Sequence, residues 1–272
     1  MNPVETLVVA AVQLSTQDDV ANNLSLARSM VRDAARRGAQ LVVMPENLAF
    51  MGPEGRKREL AAPLAPGSQV FESLSMAASD AEVWVIAGGI PEKSEDPNRP
   101  FNTCAVFAPD GSLVASYRKI HLFDVDLSDG TRFAETDACS RGDAVACVDI
   151  EGFRVGLSIC YDVRFPELYR RLVDQGAEVV VVPSAFTVTT GKDHWHVLMR
   201  ARAIENQVYV IAPAQFGTHP KRTTYGKTII VDPWGTVVAQ CSDGVGMCLH
   251  TLDRSYLEQV RRSLPALRHR RL

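Results

Sequence analysis

Three segments of the chain end at a residue that can take part in acid–base or nucleophilic chemistry. Glu46 follows the apolar run LVVMP, Lys119 ends the segment SYRK, and Cys160 follows the run GLSI. In packed α/β sheets, sites are built at the carboxyl ends of strands and in the loops that follow them. Brought together, these side chains supply a base, a cation and a nucleophile. A cysteine needs such neighbours because its thiol is mostly protonated at pH 7.

Each of these residues also has an ordinary structural interpretation. A single cysteine at the end of a buried strand often fills apolar space. Glu46 can cap a turn after Met-Pro, and Lys119 can be a solvated charge. The spacing of the three residues does not choose between a site and these roles.

The sequence around the three residues resembles the nitrilase superfamily of carbon–nitrogen hydrolases. The signature segments, in the family's order and separation, are VVMPENLAF (42–50), YRKIHLFDVD (117–126) and SICYDVRFPELYR (158–170). Further similar segments are 183–195, 200–210 and 225–239. Because the resemblance covers essentially the whole chain, it implies a single α/β domain over residues 1–272. The implied fold is the four-layer α-β-β-α sandwich of this superfamily.

The resemblance implies catalytic roles for four residues. Cys160 is the expected nucleophile, Glu46 the general base, and Lys119 the cation beside the developing oxyanion. The segment RFAETD (132–137) fits a second glutamate of the family and indicates Glu135 as a supporting residue. The backbone N–H of Tyr161 is expected to join Lys119 in stabilising the tetrahedral intermediate.

The residues after the cysteine narrow the choice of branch. Tyr-Asp follows Cys160, whereas true nitrilases usually have Trp-Glu there, and CYDVRFPEL, SAFTVTTG and RARAIE resemble the Nit-type branch. Two activities occur in that branch. One is hydrolysis of deaminated glutathione to 2-oxoglutarate and Cys-Gly, and the alternative is ω-amidase activity on 2-oxoglutaramate or succinamate. Hydrolysis of another small amide of the same superfamily is a further alternative. Two segments favour deaminated glutathione as the substrate. They are residues 214–244, which contain Gln215 and the stretch 219–222, and the C-terminal residues 264–271.

The expected substrate carries a 2-oxo acid carboxylate, so the site needs a fixed cation. Arginine reads carboxylates with two parallel hydrogen bonds, and Arg164, four residues after the cysteine, is the candidate, although it can also be a surface charge at a helix start. By the resemblance, Phe186 and Thr190 also line the acyl pocket, and Phe186 can equally be plain core. The larger substrate has a glycine carboxylate too, for which three candidates remain open: Lys221, Arg222 and Lys227.

Competing kinds of site have weaker support. His194 and His196 are two residues apart on an expected helix and point in different directions. His121, Asp124 and Asp126 are better explained as a solvated loop near the active site than as a metal site. The sequence has no GxGxxG before a helix, no P-loop and no GxSxG. We therefore expect no cofactor and no metal. A non-catalytic interaction protein and a redox-sensing thiol protein are the alternatives from other classes.

Composition argues against several classes of protein. The net charge is −3 and the pI about 6.1, which is unlike the basic footprint of a nucleic-acid binder. No apolar run approaches the ~18 residues of a membrane span, and we find no signal-peptide pattern. The six cysteines form no CxxC pair. We expect a cytoplasmic protein with reduced thiols, bound to neither nucleic acid nor membrane.

Continuous apolar runs and apolar residues at helical spacing predict the elements that position these residues. Continuous Val- and Ile-rich runs suit strands covered on both faces. The predicted strands are 7–13, 41–45, 83–88, 179–183 and 208–212, and the predicted helices are 20–37, 166–175 and 193–207. Pro-Asp-Gly and Pro-Trp-Gly turns predict hairpins over 101–117 and 228–241, and Glu-Gly at 151–152 suggests a third pair, 144–150 with 154–159. The polar loop 92–100 is expected to be an exposed insertion. The resemblance implies a homodimer or higher oligomer through helices 166–175 and 193–207.

Overall fold

The computed structural model describes residues 5–126 and 132–271, and the other residues of the expected 1–272 domain lie outside this description. The strands are β1 (Thr6–Gln13), β2 (Leu41–Met44), β3 (Trp84–Glu92), β4 (Phe101–Phe107), β5 (Leu113–Arg118), β6 (Asp124–Asp126), β7 (Arg132–Ala134), β8 (Cys147–Ile150), β9 (Phe153–Leu157), β10 (Val179–Val181), β11 (Tyr209–Ala212), β12 (Phe216–His219), β13 (Arg222–Tyr225), β14 (Ile229–Val231), β15 (Val237–Gln240) and β16 (Gly246–Asp253). The α-helices are α1 (Val20–Arg36), α2 (Glu54–Glu59), α3 (Gln69–Ala81), α4 (Pro166–Asp174), α5 (Val188–Asn206) and α6 (Arg254–Ser263). Short 3₁₀ helices cover Glu135–Asp137, Cys160–Arg164 and Ala266–His269.

Two six-stranded sheets form the centre of the fold. Their strand orders are β16-β1-β2-β3-β4-β5 and β15-β14-β11-β10-β9-β8, and β6–β7 and β12–β13 are separate hairpins. Helices α1 and α3 pack on the first sheet, and α4 and α5 pack on the second. One apolar core contains side chains of both sheets, and another joins the first sheet to α1 and α3. The four layers are therefore α-β-β-α, as predicted.

The β1 strand shows why the central strands are apolar throughout. Leu7, Val9 and Ala11 enter the core between the sheets, whereas Ala10 and Val12 enter the core beneath the helices. Successive side chains of a strand point to opposite faces, so a strand covered on both sides must be apolar at every position. The strands predicted from such runs are confirmed, within a few residues at their ends.

The predicted hairpins are confirmed, and the third pair has a tight turn. Ile150 pairs with Phe153, and only Glu151 and Gly152 lie between them. Both have positive φ, 48° and 80°, which matches a two-residue turn suited to the twist of the flanking strands.

Two predictions are wrong in detail. Helix α5 begins at Val188 rather than at 193, because the Thr187 side chain accepts a hydrogen bond from the N–H of Thr190 and caps the earlier start. Glu92 does not belong to an exposed loop. It ends β3 and is buried, because its carboxylate accepts hydrogen bonds from Arg118 and Thr103.

Candidate active site

A pocket of about 250 Å³ opens where strands of both sheets end. Glu46 follows β2, and Lys119 follows β5, in the first sheet. Cys160 follows β9 in the second sheet. The structure brings all eight predicted site residues to the wall of this pocket: Glu46, Lys119, Glu135, Cys160, Tyr161, Arg164, Phe186 and Thr190.

Cys160 lies on a sharp turn between β9 and the 3₁₀ helix that follows. Its φ is 47°, in the left-handed region, which typically costs a non-glycine residue about 1–3 kcal/mol. Its N–H donates a 2.9 Å hydrogen bond to the carbonyl of Pro183 and so holds the turn. At this turn Cys160 lines the pocket.

The surroundings of Cys160 keep its thiol protonated. Burial raises the pKa of the thiol most, and the negative charge of the Glu46 carboxylate raises the pKa further. Lys119 acts in the opposite direction but does not outweigh them. The resting cysteine is therefore a neutral thiol with a carboxylate in place to take its proton.

Lys119 joins the two glutamates. Its Nζ lies 3.1 Å from Oε1 of Glu46 and 2.8 Å from Oε2 of Glu135, and its side chain is 2% exposed. Burial would lower the pKa of Lys119, but Glu135 and then Glu46 outweigh it and hold the pKa well above its ordinary value. The ammonium is a fixed positive charge with three N–H donors, and two suffice for the two carboxylates.

Asn102 is a part of the site that the sequence analysis missed. Its Nδ2 donates to Oε1 of Glu46 at 2.9 Å and to Oε1 of Glu135 at 3.2 Å. The amide must have this orientation, because its oxygen would otherwise face two carboxylates. The N–H of Phe123 adds a 2.6 Å hydrogen bond to Oε2 of Glu135. Asn102 lies in an ordinary strand sequence, FNTC, and no pattern there signals its position.

Glu135 is held ionised. Burial would raise its pKa, but Lys119 and then Lys57 outweigh burial and keep the pKa below the ordinary value. Its short 3₁₀ segment, Glu135–Asp137, directly follows β7.

Gly89 and Gln215 fix the position of Glu46. A Cβ at Gly89 would lie 2.6 Å from Cγ of Glu46, so this position needs a residue without a side chain. The Nε2 of Gln215 donates to the backbone carbonyl of Glu46 at 2.9 Å and to Oγ1 of Thr16 at 2.8 Å. The β1–α1 connection and the loop after β11 thus hold Glu46 from behind.

The outer wall of the pocket is aromatic and cationic. The guanidinium of Arg164 lies 5.5 Å from the ring centre of Phe186 and 5.7 Å from that of Tyr161, close enough for a cation–π contact. Its Nη2 also lies 3.3 Å from Nδ1 of His194. Thr190 lies behind Phe186, where its hydroxyl bonds to that of Thr187.

The alternative constellations do not converge. His194 contacts Arg164, whereas Nε2 of His196 lies 2.9 Å from Oε1 of Gln240. The prediction that His121 lies in a solvated loop is wrong. Its Nδ1 lies 2.7 Å from Oδ1 of Asp162, and its ring stacks on Phe165. Within residues 5–126 and 132–271, no group of three His, Cys, Asp or Glu side chains is placed to hold a metal ion. Over the same ranges, no helix has the length and apolar character to cross a membrane.

Comparison with known proteins identifies the family. The profile described as carbon–nitrogen hydrolase matches residues 8–262. Deaminated glutathione amidase of Synechocystis sp. is 44% identical over 268 residues, which cover 97% of each chain. Human omega-amidase NIT2 is 39% identical over 97% of this chain and 94% of its own. The crystal structure of the C. elegans NitFhit protein superposes with a TM-score of 0.92 at 39% identity; the match covers 99% of this chain and 66% of NitFhit.

The chain belongs to the carbon–nitrogen hydrolase family. It is a hydrolase that acts on carbon–nitrogen bonds other than peptide bonds, with a small-molecule amide as its substrate.

Proposed function

We propose that the protein is an amidase that hydrolyses deaminated glutathione to 2-oxoglutarate and Cys-Gly through a thioester on Cys160. The observation that carries the proposal is the position of Glu46, whose carboxylate contacts the ammonium of Lys119 and lines the same pocket as Cys160. The same pocket carries Arg164, a cation suited to the carboxylate of a 2-oxo acid.

In the first step, Glu46 takes the thiol proton as the sulfur of Cys160 attacks the amide carbonyl. A base is required because burial keeps the thiol protonated. The carbonyl oxygen becomes an oxyanion, which Lys119 and the N–H of Tyr161 stabilise. Tyr161 is the second residue of the short 3₁₀ helix Cys160–Arg164, and the first N–H groups of a helix have no partner within it. Preorganised donors of this kind are typically worth about 3–4 kcal/mol each.

In the second step, the carbon–nitrogen bond breaks and Glu46 returns the proton to the leaving amine. The acyl group remains on Cys160 as a thioester. A water molecule then replaces the amine, Glu46 takes a proton from it, and hydroxide attacks the thioester carbonyl. The carbon–sulfur bond breaks, and the proton on Glu46 returns to the sulfur. Proton transfer by a positioned side chain typically contributes about 10²–10⁴-fold.

Glu135 holds Lys119 throughout this sequence. With Glu46 protonated after the first transfer, the ammonium would lose one of its two anionic partners. Glu135, bonded to the other side of Nζ, keeps Lys119 charged and in place. Asn102 donates to both carboxylates and fixes their separation.

The ω-amidase reaction is the second candidate, since human omega-amidase NIT2 is nearly as similar as the deaminated glutathione amidases. The two reactions share the acyl group and differ in the leaving group, which is Cys-Gly in one and ammonia in the other. The same catalytic residues serve both reactions, so the preference between the two substrates distinguishes them.

The test compares kcat/KM for deaminated glutathione and for 2-oxoglutaramate with one enzyme preparation. We expect deaminated glutathione to be favoured by about ten-fold or more, the scale of one added charge-assisted contact. A preference for 2-oxoglutaramate would assign the ω-amidase reaction instead. Mass spectrometry of the quenched enzyme should show the same 2-oxoglutaryl adduct on Cys160 with either substrate.

The protein is also proposed to be a cytoplasmic homodimer that uses the α5 face. Cytoplasmic conditions keep a catalytic thiol reduced. Val197 and Ile204 are seven residues apart on α5, on one helix face, and are 66% and 46% exposed. Trp234, 57% exposed, lies beside them, because its neighbour Gly235 packs against Ile204. A second copy of the chain is the occupant that the family resemblance implies.

Light scattering coupled to size exclusion tests the dimer. The wild-type enzyme should have about twice the 29.8 kDa mass of the chain, and Val197→Asp combined with Ile204→Asp should give the monomer. Met76→Asp on α3, at a position 43% exposed, is the control and should leave the dimer intact. Equal masses for all three proteins would contradict this interface.

A further inference from the structure

The structure distinguishes among the three cationic residues that the sequence left as candidates for binding the glycine carboxylate of deaminated glutathione. In the part of the chain that the structure describes, Arg222 is the one of the three that lines the pocket. Lys221 is exposed. Lys227 lies at the end of the hairpin away from Arg222, with its Nζ 2.5 Å from Oδ1 of Asp243.

Arg222 is held on a rigid hairpin. It starts β13 and pairs with His219, the last residue of β12. The ring of His219 is buried and bonds to the carbonyl of Thr16 at 2.6 Å and to Oγ1 of Thr224 at 2.7 Å. The carbonyl is only an acceptor, so Nδ1 carries the proton and Nε2 accepts from the threonine hydroxyl.

The far end of the same hairpin is fixed to the acyl side of the pocket. The N–H of Tyr225 donates a 2.9 Å hydrogen bond to the carbonyl of Phe186, and Thr224 pairs with Thr187. Arg222 therefore has a defined position relative to Phe186, the residue that lies under the guanidinium of Arg164.

A row of aromatic rings leads from the nucleophile to Arg222. Tyr161, next to Cys160, lies 5.0 Å from Phe123, and Phe123 lies 5.3 Å from Phe133, measured between ring centres. The guanidinium of Arg222 lies 5.4 Å from the centre of the Phe133 ring. All these residues line the pocket, so successive aromatic contacts connect the neighbour of Cys160 to the guanidinium of Arg222.

Two other cations at the pocket are less suited to this task. Lys57 acts on Glu135, whose pKa it lowers, and an ammonium lacks the planar fork that matches a carboxylate. Arg132 is exposed on β7, whereas Arg222 is half-buried against Phe133.

We propose that Arg222 binds the carboxylate at the far end of the leaving group, so that the site selects amides with an anion on each side of the scissile bond. Arg164 binds the carboxylate of the 2-oxo acid part of the substrate, and Arg222 binds the carboxylate of the leaving amine. This assignment rests on the proposed function. A two-residue leaving group carries its carboxylate away from the scissile bond, whereas ammonia ends at the scissile bond and reaches no second cation.

The experiment uses two substrates that differ only at that carboxylate: deaminated glutathione and the same molecule with a terminal carboxamide. In the wild-type enzyme, the carboxamide should lower kcat/KM by about 10- to 150-fold, the range for a charge-assisted hydrogen-bond pair. Arg222→Met should lower kcat/KM for the carboxylate by a similar factor and make the two substrates nearly equal. Arg222→Lys, which keeps the charge and the contact with Phe133, should lie between them.

Lys221→Met is the matched control, since it removes the neighbouring charge at an exposed position, and it should keep the wild-type preference. Wild-type enzyme that hydrolyses both substrates equally would overturn the role of Arg222 and leave the proposed function standing. Equal losses on both substrates in Arg222→Met and Arg222→Lys would overturn it too, because they indicate support of the hairpin. Wild-type enzyme that hydrolyses neither, but does hydrolyse 2-oxoglutaramate, would overturn the proposed function itself.

Discussion

The hydroxyl of Tyr117 donates a 2.8 Å hydrogen bond to the carboxylate of Asp162 and ties the strand that leads to Lys119 to the turn that starts at Cys160. Asp162 is fully buried and also accepts from the N–H groups of Ile159 and His121. One carboxylate thus links the strand before Lys119 to the turn at Cys160, the two halves of the proposed catalytic group. A buried anion of this kind must keep all its donors, because each lost donor leaves charge without compensation.

Tyr117→Phe tests this tie. We expect a loss of about 1–3 kcal/mol in unfolding free energy, the cost of one unsatisfied buried acceptor, together with a lower kcat and little change in KM. Tyr209→Phe is the control, since that hydroxyl is also buried but bonds to the carbonyl of Asp253, away from the pocket. It should lose stability and keep kcat. Equal kcat in the two variants would show that Asp162 does not position the catalytic residues.

Cys160→Ala and Cys160→Ser should both abolish amide hydrolysis while the far-UV circular dichroism stays unchanged. The serine variant fails because Glu46 is matched to a thiol and a hydroxyl is far less acidic. Cys147→Ser provides the comparison, as this half-buried cysteine lies outside the pocket. A Cys160 variant that keeps more than a few per cent of the turnover would remove the nucleophile assignment.

Glu46→Gln and Lys119→Met should each lower kcat by about 100-fold or more, the scale of losing a general base or an oxyanion donor. Glutamine keeps the size and the hydrogen bond from Asn102 but has no basicity. Methionine keeps the length of lysine without its charge. Rapid-quench mass spectrometry should find less acylated enzyme in both variants. Near-normal kcat in Lys119→Met would leave Lys119 a structural partner of the two glutamates.

Arg164→Lys should weaken hydrolysis of 2-oxo acid amides by about 10- to 150-fold in kcat/KM, because lysine loses the two-pronged contact with a carboxylate. Amides without a carboxylate should be much less affected. Steady-state kinetics on 2-oxoglutaramate and on a simple aliphatic amide make the comparison. Equal losses on both would assign Arg164 to support of the turn through its contacts with His194 and Phe186.

The stability of the protein should fall in mild acid because of His219. Burial holds the pKa of His219 below its ordinary value of 6.5. The unfolded chain therefore takes up the proton first, and the unfolding free energy decreases as the pH falls from about 6.5 towards the lower pKa of the folded state. Above pH 6.5 this contribution is complete. Urea unfolding at pH 7.5 and 5.5 should show a smaller acid loss in His219→Gln than in the wild type, and an identical loss would contradict this origin.

The central strands were predictable because burial on both faces requires an apolar residue at every position of the strand. Val179, Val180 and Val181 are all fully buried, and four successive valines occur at 179–182. Helix α3 was missed although Ser68 caps it and Phe71, Leu74 and Ala78 follow at helical spacing. The signal was present, but the segment directly follows the proline- and glycine-rich stretch 63–67.

The site was predictable only as far as its signature segments reach. Glu46, Lys119, Cys160 and Glu135 lie in segments that resemble the family, and whether their side chains act as assigned is for the variants above to decide. Asn102 could not be found from the sequence, because its position depends on how β4 pairs with β3 and β5. A register shifted by one residue would turn its amide to the opposite face.

The division of the pocket between two sheets has a consequence for the newly made chain. Glu46 and Lys119 follow strands of one sheet, and Cys160 follows a strand of the other. If the proposed roles are right, a nascent chain with either sheet formed alone holds a cysteine without its base, or a base without its cysteine, and is inert toward amides. Turnover is then expected to begin only when the sheets associate. It also ends when they separate, so loss of activity should report early opening of the sandwich before the circular dichroism changes.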